Sequence, residues 1–125
     1  MSANPTLRVE LQHLAHVRSG DKGNTATIGV HAYDPAFYPL LKAQLTVEAL
    51  RAHYGNPDWR IRRYEVDAIG SLNFTAEGAL GGGVSRSLSL DVYGKSLCAR
   101  LLDCVLEVPP HLAERLVGWS ANAGR

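Results

Sequence analysis

The first third of the chain alternates between apolar and polar residues and predicts a β-hairpin. Residues 7–18 place apolar side chains at every second position, which is typical of a long half-buried strand. Residues 25–33 repeat this period-two pattern and predict a second strand. The turn formers at 19–24 separate the two strands, so we expect a hairpin with an elaborate tip.

Helical spacing replaces the alternation directly after this hairpin. Asp34 is a typical N-cap residue, and Pro35 suits the first helical position. Apolar residues then recur at three- and four-residue intervals, and Thr46 offers a second N-cap. The pattern therefore predicts either one bent helix over 35–54 or two short ones.

The second half of the chain predicts four shorter elements. They are a strand over 60–69, a strand over 84–92, a helix over 96–102 and a strand over 104–108. Residues 70–83 show no regular element beyond a short apolar piece. The tail over 109–125 has apolar residues at helical spacing, which makes a terminal helix possible.

The order of these elements indicates an α+β fold. It reads β-β-α-β-β-α-β, and without its first strand it becomes the ferredoxin-like β-α-β-β-α-β arrangement. We therefore expect an antiparallel sheet with an extra N-terminal strand and with both helices on one face. The other face would be free for solvent, a ligand or a second subunit. Residues 1–125 would form a single domain with a core at about 7–108.

Composition and charge narrow the function classes. The 125 residues carry 13 Lys and Arg against 12 Asp and Glu, a formal net charge of +1. This balance argues against a nucleic-acid partner and against electrostatic attachment to a membrane. No apolar run approaches the roughly 20 residues of a membrane span, and residues 1–8 lack the apolar core of a secretion signal. We therefore expect a cytoplasmic protein.

The cysteines and histidines do not form a recognisable metal motif. Cys98 and Cys104 are expected to be reduced, buried thiols. The spacings CxxC, HxxxH and HxH are all missing from the sequence. We therefore expect no metal and no other cofactor.

The glycine-bracketed stretch at 18–24 is the first candidate ligand site. Its glycines allow backbone N–H groups to converge on an anion, and its cations could add charge-assisted hydrogen bonds. The alternative is a plain hairpin loop whose Asp and Asn side chains cap its own backbone. The candidate ligand-binding residues are Arg18, Ser19, Gly20, Asp21, Lys22, Gly23 and Asn24.

A run of three glycines provides the second candidate. Three consecutive glycines are conformationally costly, so a close approach of backbone to a ligand or an unusual turn should require them. Arg86 falls on an otherwise apolar strand face and needs either a carboxylate partner or a ligand anion. The candidate residues here are Asn73, Gly81, Gly82, Gly83 and Arg86.

No complete catalytic set follows from the spacing of the residues. His16 and Asp21 are weak candidates for a general base because they lie in or beside the first candidate site. The sequence has no nucleophile elbow around its serines. Whether the chain is an enzyme stays open at this point.

Two blocks of the sequence resemble a known family. Residues 14–24 (LAHVRSGDKGN) with residues 28–30 (IGV) resemble the first block of the AtuA-like proteins, the acyclic terpene utilisation family. Residues 72–74 (LNF) and 78–83 (GALGGG) resemble its second block, and the likeness extends over about 7–108. In that family the matching region is a small ferredoxin-fold domain behind a much larger one. The resemblance implies one functional site built from both blocks.

Three alternative functions stay open, and the resemblance favours the first. In the first, the chain is a small binding or assembly partner of a larger AtuA-like protein that acts on an acyl-CoA or another anionic metabolite. In the second, it is a stand-alone hydratase or isomerase with Asp21 or His16 as the base. In the third, it is a structural module that forms a homo-oligomer.

Overall fold

A computed structural model describes residues 6–22, 25–55, 57–78 and 96–119 of the chain. The strands are β1 (Leu7–Glu10), β2 (Ala15–Lys22), β3 (Thr25–Ala32), β4 (Arg60–Val66), β5 (Ser71–Glu77) and β6 (Val105–Val108). The α-helices are α1 (Tyr38–Gln44), α2 (Val47–His53) and α3 (Ser96–Leu101). The predicted strand over 84–92 lies outside the described residues.

The strands form two antiparallel sheets. The larger one has four strands in the order β2-β3-β5-β4, and the smaller one pairs β1 with β6. Antiparallel strands combined with a few short helices agree with the ferredoxin-like α+β class, so this prediction is confirmed.

The hairpin is present, but its tip is shorter than predicted. The β2–β3 register runs from Ala15 opposite Ala32 to Lys22 opposite Thr25. Residues 19–22 are therefore strand rather than turn, because their backbone groups join the hydrogen-bonded ladder with β3. Gly23 and Asn24 lie outside the described residues.

The single long strand predicted over 7–18 is wrong. A 3₁₀ turn at Leu11–His13 divides it, so β1 joins the small sheet and β2 the large one. Leu11 and Leu14 are both fully buried, although strict alternation would place them on opposite faces. The turn resolves this conflict, and it is fixed by the Leu11 N–H, which donates to the Cys104 carbonyl at 2.8 Å.

Two short helices follow the hairpin, as one of the two alternatives predicted. The Asp34 carboxylate accepts a hydrogen bond from the Ala36 N–H at 2.8 Å and caps a 3₁₀ turn that leads into α1. The Thr46 hydroxyl accepts one from the Ala49 N–H at 3.0 Å and caps α2. Both N-caps are thus confirmed.

The strand predicted over 60–69 stops early, and a further strand follows it. β4 ends at Val66, a 3₁₀ turn takes Asp67–Ile69, and Gly70 has a left-handed φ of 63°. β5 then occupies Ser71–Glu77, where no regular element was expected. The positive φ at Gly70 allows the sharp reversal between the two strands.

The core lies against one face of the four-stranded sheet. Its strand residues include Ala26, Ile28 and Val30 of β3, which oppose Ala76, Phe74 and Leu72 of β5. Apolar residues from the helices and from β1 and β6 complete it, including Phe37, Leu41, Leu50, Leu101 and Leu106. These side chains are almost completely removed from water and supply the main favourable term in folding.

The C-terminal region packs against the same domain. α3 and β6 agree with the predicted helix and final strand, whereas the tail forms a 3₁₀ turn at Pro110–Arg115 instead of an α-helix. Leu116 is buried, and the Val117 N–H donates to the His13 carbonyl at 3.0 Å. Within the described ranges, no helix has the length and apolar character to cross a membrane.

Candidate functional site

The face of the four-stranded sheet opposite the core is mostly polar, and we call it the open face. Residues paired across antiparallel strands share a face, so the register identifies its members. They include His16, Arg18 and Gly20 of β2; Thr27, Gly29 and His31 of β3; Ser71, Asn73 and Thr75 of β5; and Arg62, Tyr64 and Val66 of β4.

One row across the open face combines a cation, an amide and a phenol. Arg18 opposes Gly29, Gly29 opposes Asn73, and Asn73 opposes Tyr64; we call these four residues the arginine row. Arg18 and Asn73 are exposed, and Tyr64 is 47% exposed. Within the part of the chain that the structure describes, Arg18 forms no ion pair. A guanidinium binds phosphate and carboxylate groups through paired N–H donors.

Gly29 is required by the position of the Asn73 side chain. A Cβ atom at Gly29 would lie 3.1 Å from Asn73 Oδ1, closer than most real Cβ contacts. The Asn73 amide therefore lies over the backbone of β3. Gly20 has an equivalent relation to Thr27, whose Oγ1 would lie 3.1 Å from an added Cβ. The two glycines thus let polar side chains lie low across neighbouring strands.

The residues of the first candidate site are divided between the two faces of the sheet. Arg18 and Gly20 lie on the open face. Ser19 and Asp21 oppose Ile28 and Ala26, so they lie on the face of the core, at its exposed edge. The structure therefore brings Arg18 and Gly20 together with Asn73 of the second candidate site, but not with Ser19 or Asp21.

Part of both candidate sites lies outside the described residues. Lys22 ends β2 opposite Thr25. Gly23, Asn24, Gly81, Gly82, Gly83 and Arg86 lie outside the described residues. Of the two weak base candidates, His16 is on the open face and Asp21 on the opposite one, so they do not form a pair.

A pair of histidines occupies one end of the open face. The His16 and His31 rings are 5.2 Å apart, and Tyr33 approaches His16 at 5.9 Å between ring centroids. His31 Nδ1 is 2.8 Å from Oγ of the buried Ser71, which holds the imidazole in place. This pair was not predicted from the sequence. The hairpin register was the available signal, because a register that pairs Lys22 with Thr25 places His16 opposite His31.

A second group of polar residues joins α1 to the turn after β4. The Tyr38 hydroxyl donates to Asp67 Oδ1 at 2.7 Å, and Lys42 Nζ donates to the same oxygen at 3.3 Å. Burial, reinforced by the hydrogen bond to Asp67, raises the pKa of Tyr38 to about 12. The hydrogen bonds from Tyr38 and then Lys42 hold the pKa of the Asp67 carboxyl below its ordinary value. Asp67 is therefore ionised at neutral pH.

Two cavities adjoin this group of residues. One has a volume of about 380 Å³ and the other about 490 Å³, and Tyr38 and Asp67 line both. Arg18 lines neither of these two cavities. Among the described residues, no three His, Cys, Asp or Glu side chains are grouped as metal ligands.

Comparison with known proteins gives one match. A family model described as the AtuA ferredoxin-like domain matches residues 9–107. This match spans β1 to β6 and most of the chain, and it includes every residue of the arginine row. No curated protein and no solved structure matches the chain.

Proposed function

The chain belongs to the AtuA ferredoxin-like domain family, and from that premise we propose that it is a cytoplasmic binding and assembly subunit. It acts with a larger AtuA-like protein on an acyl-CoA or another anionic metabolite. The arginine row is the observation that carries this proposal, since it puts an exposed guanidinium and an exposed amide in register on one face of the sheet.

The chemistry of the arginine row suits an anion. The Arg18 guanidinium supplies paired N–H donors for a phosphate or carboxylate, and its charge strengthens those hydrogen bonds. The Asn73 amide adds a neutral donor beside it. The Thr27 and Thr75 hydroxyls oppose each other in the next row and extend the polar surface. Such a surface can bind a charged group through several hydrogen bonds.

The one-sided geometry supports a partner chain. Arg18 and Asn73 are exposed, and small-molecule sites usually enclose most of the ligand surface. A second wall is therefore needed to surround a metabolite as large as an acyl-CoA. In our proposal the larger AtuA-like protein supplies that wall by docking over the open face.

The test combines co-purification with ligand binding. The tagged chain is co-expressed with a larger AtuA-like protein, and the purified complex is titrated with acetyl-CoA by calorimetry. We expect a stoichiometric complex, and we expect Arg18→Gln to weaken acetyl-CoA binding by about tenfold, the effect of one charge-assisted hydrogen bond.

Arg8→Gln is the matched control. Arg8 is also exposed, but it lies in the small sheet and pairs with Glu107 at 3.4 Å. Its loss should leave acetyl-CoA binding unchanged. If the chain instead forms a homo-oligomer that excludes the larger protein, the proposed partner is wrong and a structural homo-oligomeric module is favoured. Equal losses with both variants would overturn the arginine row as the anion site.

A further inference from the structure

The smaller cavity, of about 380 Å³, lies beside the histidine pair and has the lining of a ligand site. Three aromatic residues contribute to its wall, His31, Tyr33 and Tyr38. Its apolar residues are Ala32, Pro35, Ala68 and Ile69, and its single acidic residue is Asp67. The volume is within the range of roughly 300–1,000 Å³ that is usual for small-molecule pockets.

The charged side chain in the lining of this cavity is acidic. Asp67 is the one Asp, Glu, Lys or Arg among the residues that line it, and its Oδ1 is paired with Lys42 Nζ at 3.3 Å. Asp67 Oδ1 accepts from Tyr38 and Lys42, whereas Oδ2 has no hydrogen bond to any residue that the structure describes. One carboxylate oxygen is therefore available to a ligand, in a cavity that has no cation in its lining.

The aromatic residues also favour a positively charged ligand. The face of an aromatic ring carries partial negative charge and attracts ammonium groups. Tyr38 already shows this property, since Lys42 Nζ lies 5.4 Å from its ring centroid. Tyr33 is 45% exposed, so its ring is accessible to a molecule that enters from solvent.

We propose that this cavity binds an organic ammonium ion with a compact apolar body. The ammonium group lies between Asp67 and the rings of His31 and Tyr33, and the apolar body contacts Ile69 and Pro35. Rings combined with a carboxylate are the groups that recognise alkylated ammonium ions. The inference is independent of the arginine row, which takes a ligand of the opposite charge at another position on the domain.

The proposal can be tested with choline and with dimethylbutanol. Dimethylbutanol is the neutral isostere of choline, in which a carbon replaces the ammonium nitrogen. The two molecules have the same shape and differ in charge alone. We expect choline to shift the backbone amide NMR signals of Tyr33 and Gly70 in a saturable titration, and the isostere to bind at least fivefold more weakly. Tyr33→Leu should reduce the choline affinity about fivefold, because it removes the ring but keeps an apolar side chain.

Tyr64→Leu is the matched control, since Tyr64 is 47% exposed and lies in the arginine row. It should leave choline binding unchanged. Asp67→Asn should also weaken choline, while its amide oxygen can still accept from Tyr38. No saturable binding, equal affinity for the isostere, or an equal loss with Tyr64→Leu would each overturn the proposal.

Discussion

The two faces of the four-stranded sheet are made from the same strands but have opposite properties. Phe74 and Ile28 oppose each other on one face and are almost fully buried. Asn73 and Gly29, one position away in the same two strands, oppose each other on the exposed face. Because side chains alternate along a strand, buried core residues and exposed polar residues lie one position apart in sequence. Each face can therefore be changed with little effect on the other.

Among variants of the two faces, Phe74→Ala should cause the largest loss of stability. Phe74 has no exposed surface, so truncation leaves a cavity and should lower the free energy of unfolding by about 3–5 kcal/mol. Asn73→Ala, the adjacent change on the open face, should alter it by no more than about 0.5 kcal/mol. Urea unfolding of both variants measures the difference. Similar losses in the two variants would show that the open face is also part of the stabilising core.

Gly29→Ala should separate binding from stability. The new Cβ displaces the Asn73 amide, which is exposed and can rotate away, so the free energy of unfolding should change by less than about 1 kcal/mol. Acetyl-CoA binding to the complex should nevertheless weaken severalfold, because the amide leaves the arginine row. The same change in an Asn73→Ala background should have no further effect on binding. A further loss there would mean that Gly29 contributes by itself.

The smallest expected effect is the acid dependence of the Tyr38–Asp67 contact at the end of the sheet. Hydrogen bonds from Tyr38 and Lys42 lower the pKa of Asp67 below 3.8, so the folded state binds this proton less tightly than the unfolded chain. The stabilisation from Asp67 is therefore complete above the ordinary pKa of the carboxyl group. It is lost as the pH falls through the lowered pKa of the folded state. Urea unfolding between pH 6 and 2 should show a wild-type advantage over Asp67→Asn that shrinks in acid. An advantage that is constant with pH would contradict the ionised pair.

Features of the fold with a local signal could be predicted from the sequence. The N-caps Asp34 and Thr46 use hydrogen bonds to residues two or three positions ahead, and such contacts are visible in the sequence. The break after β1 was not predicted, because it arises from the burial of both Leu11 and Leu14 in a folded core. Residues 72–77 alternate and belong to β5, but only a short apolar piece was expected there.

The candidate site depended on information that a single sequence holds only indirectly. Arg18 and Asn73 were identified as separate candidates, but only the shared neighbour Gly29 puts them in one row. The Tyr38–Asp67 hydrogen bond connects a helix with a turn 29 positions later, and no periodic pattern indicates it. Residue types were thus predictable, whereas their juxtaposition followed from strand register and from tertiary packing.

The pairing of β1 with β6 has a consequence for how the protein folds. The β2–β3 hairpin closes a loop of a few residues, whereas Leu7 opposite Val108 closes one of about 100 residues. Closing the longer loop costs more chain entropy, and that cost falls if the rest of the domain is already ordered. We therefore expect the small sheet to form last. The last step of folding then covers Val9 and Leu106, and the hydrophobic core stays accessible to water until β1 and β6 pair.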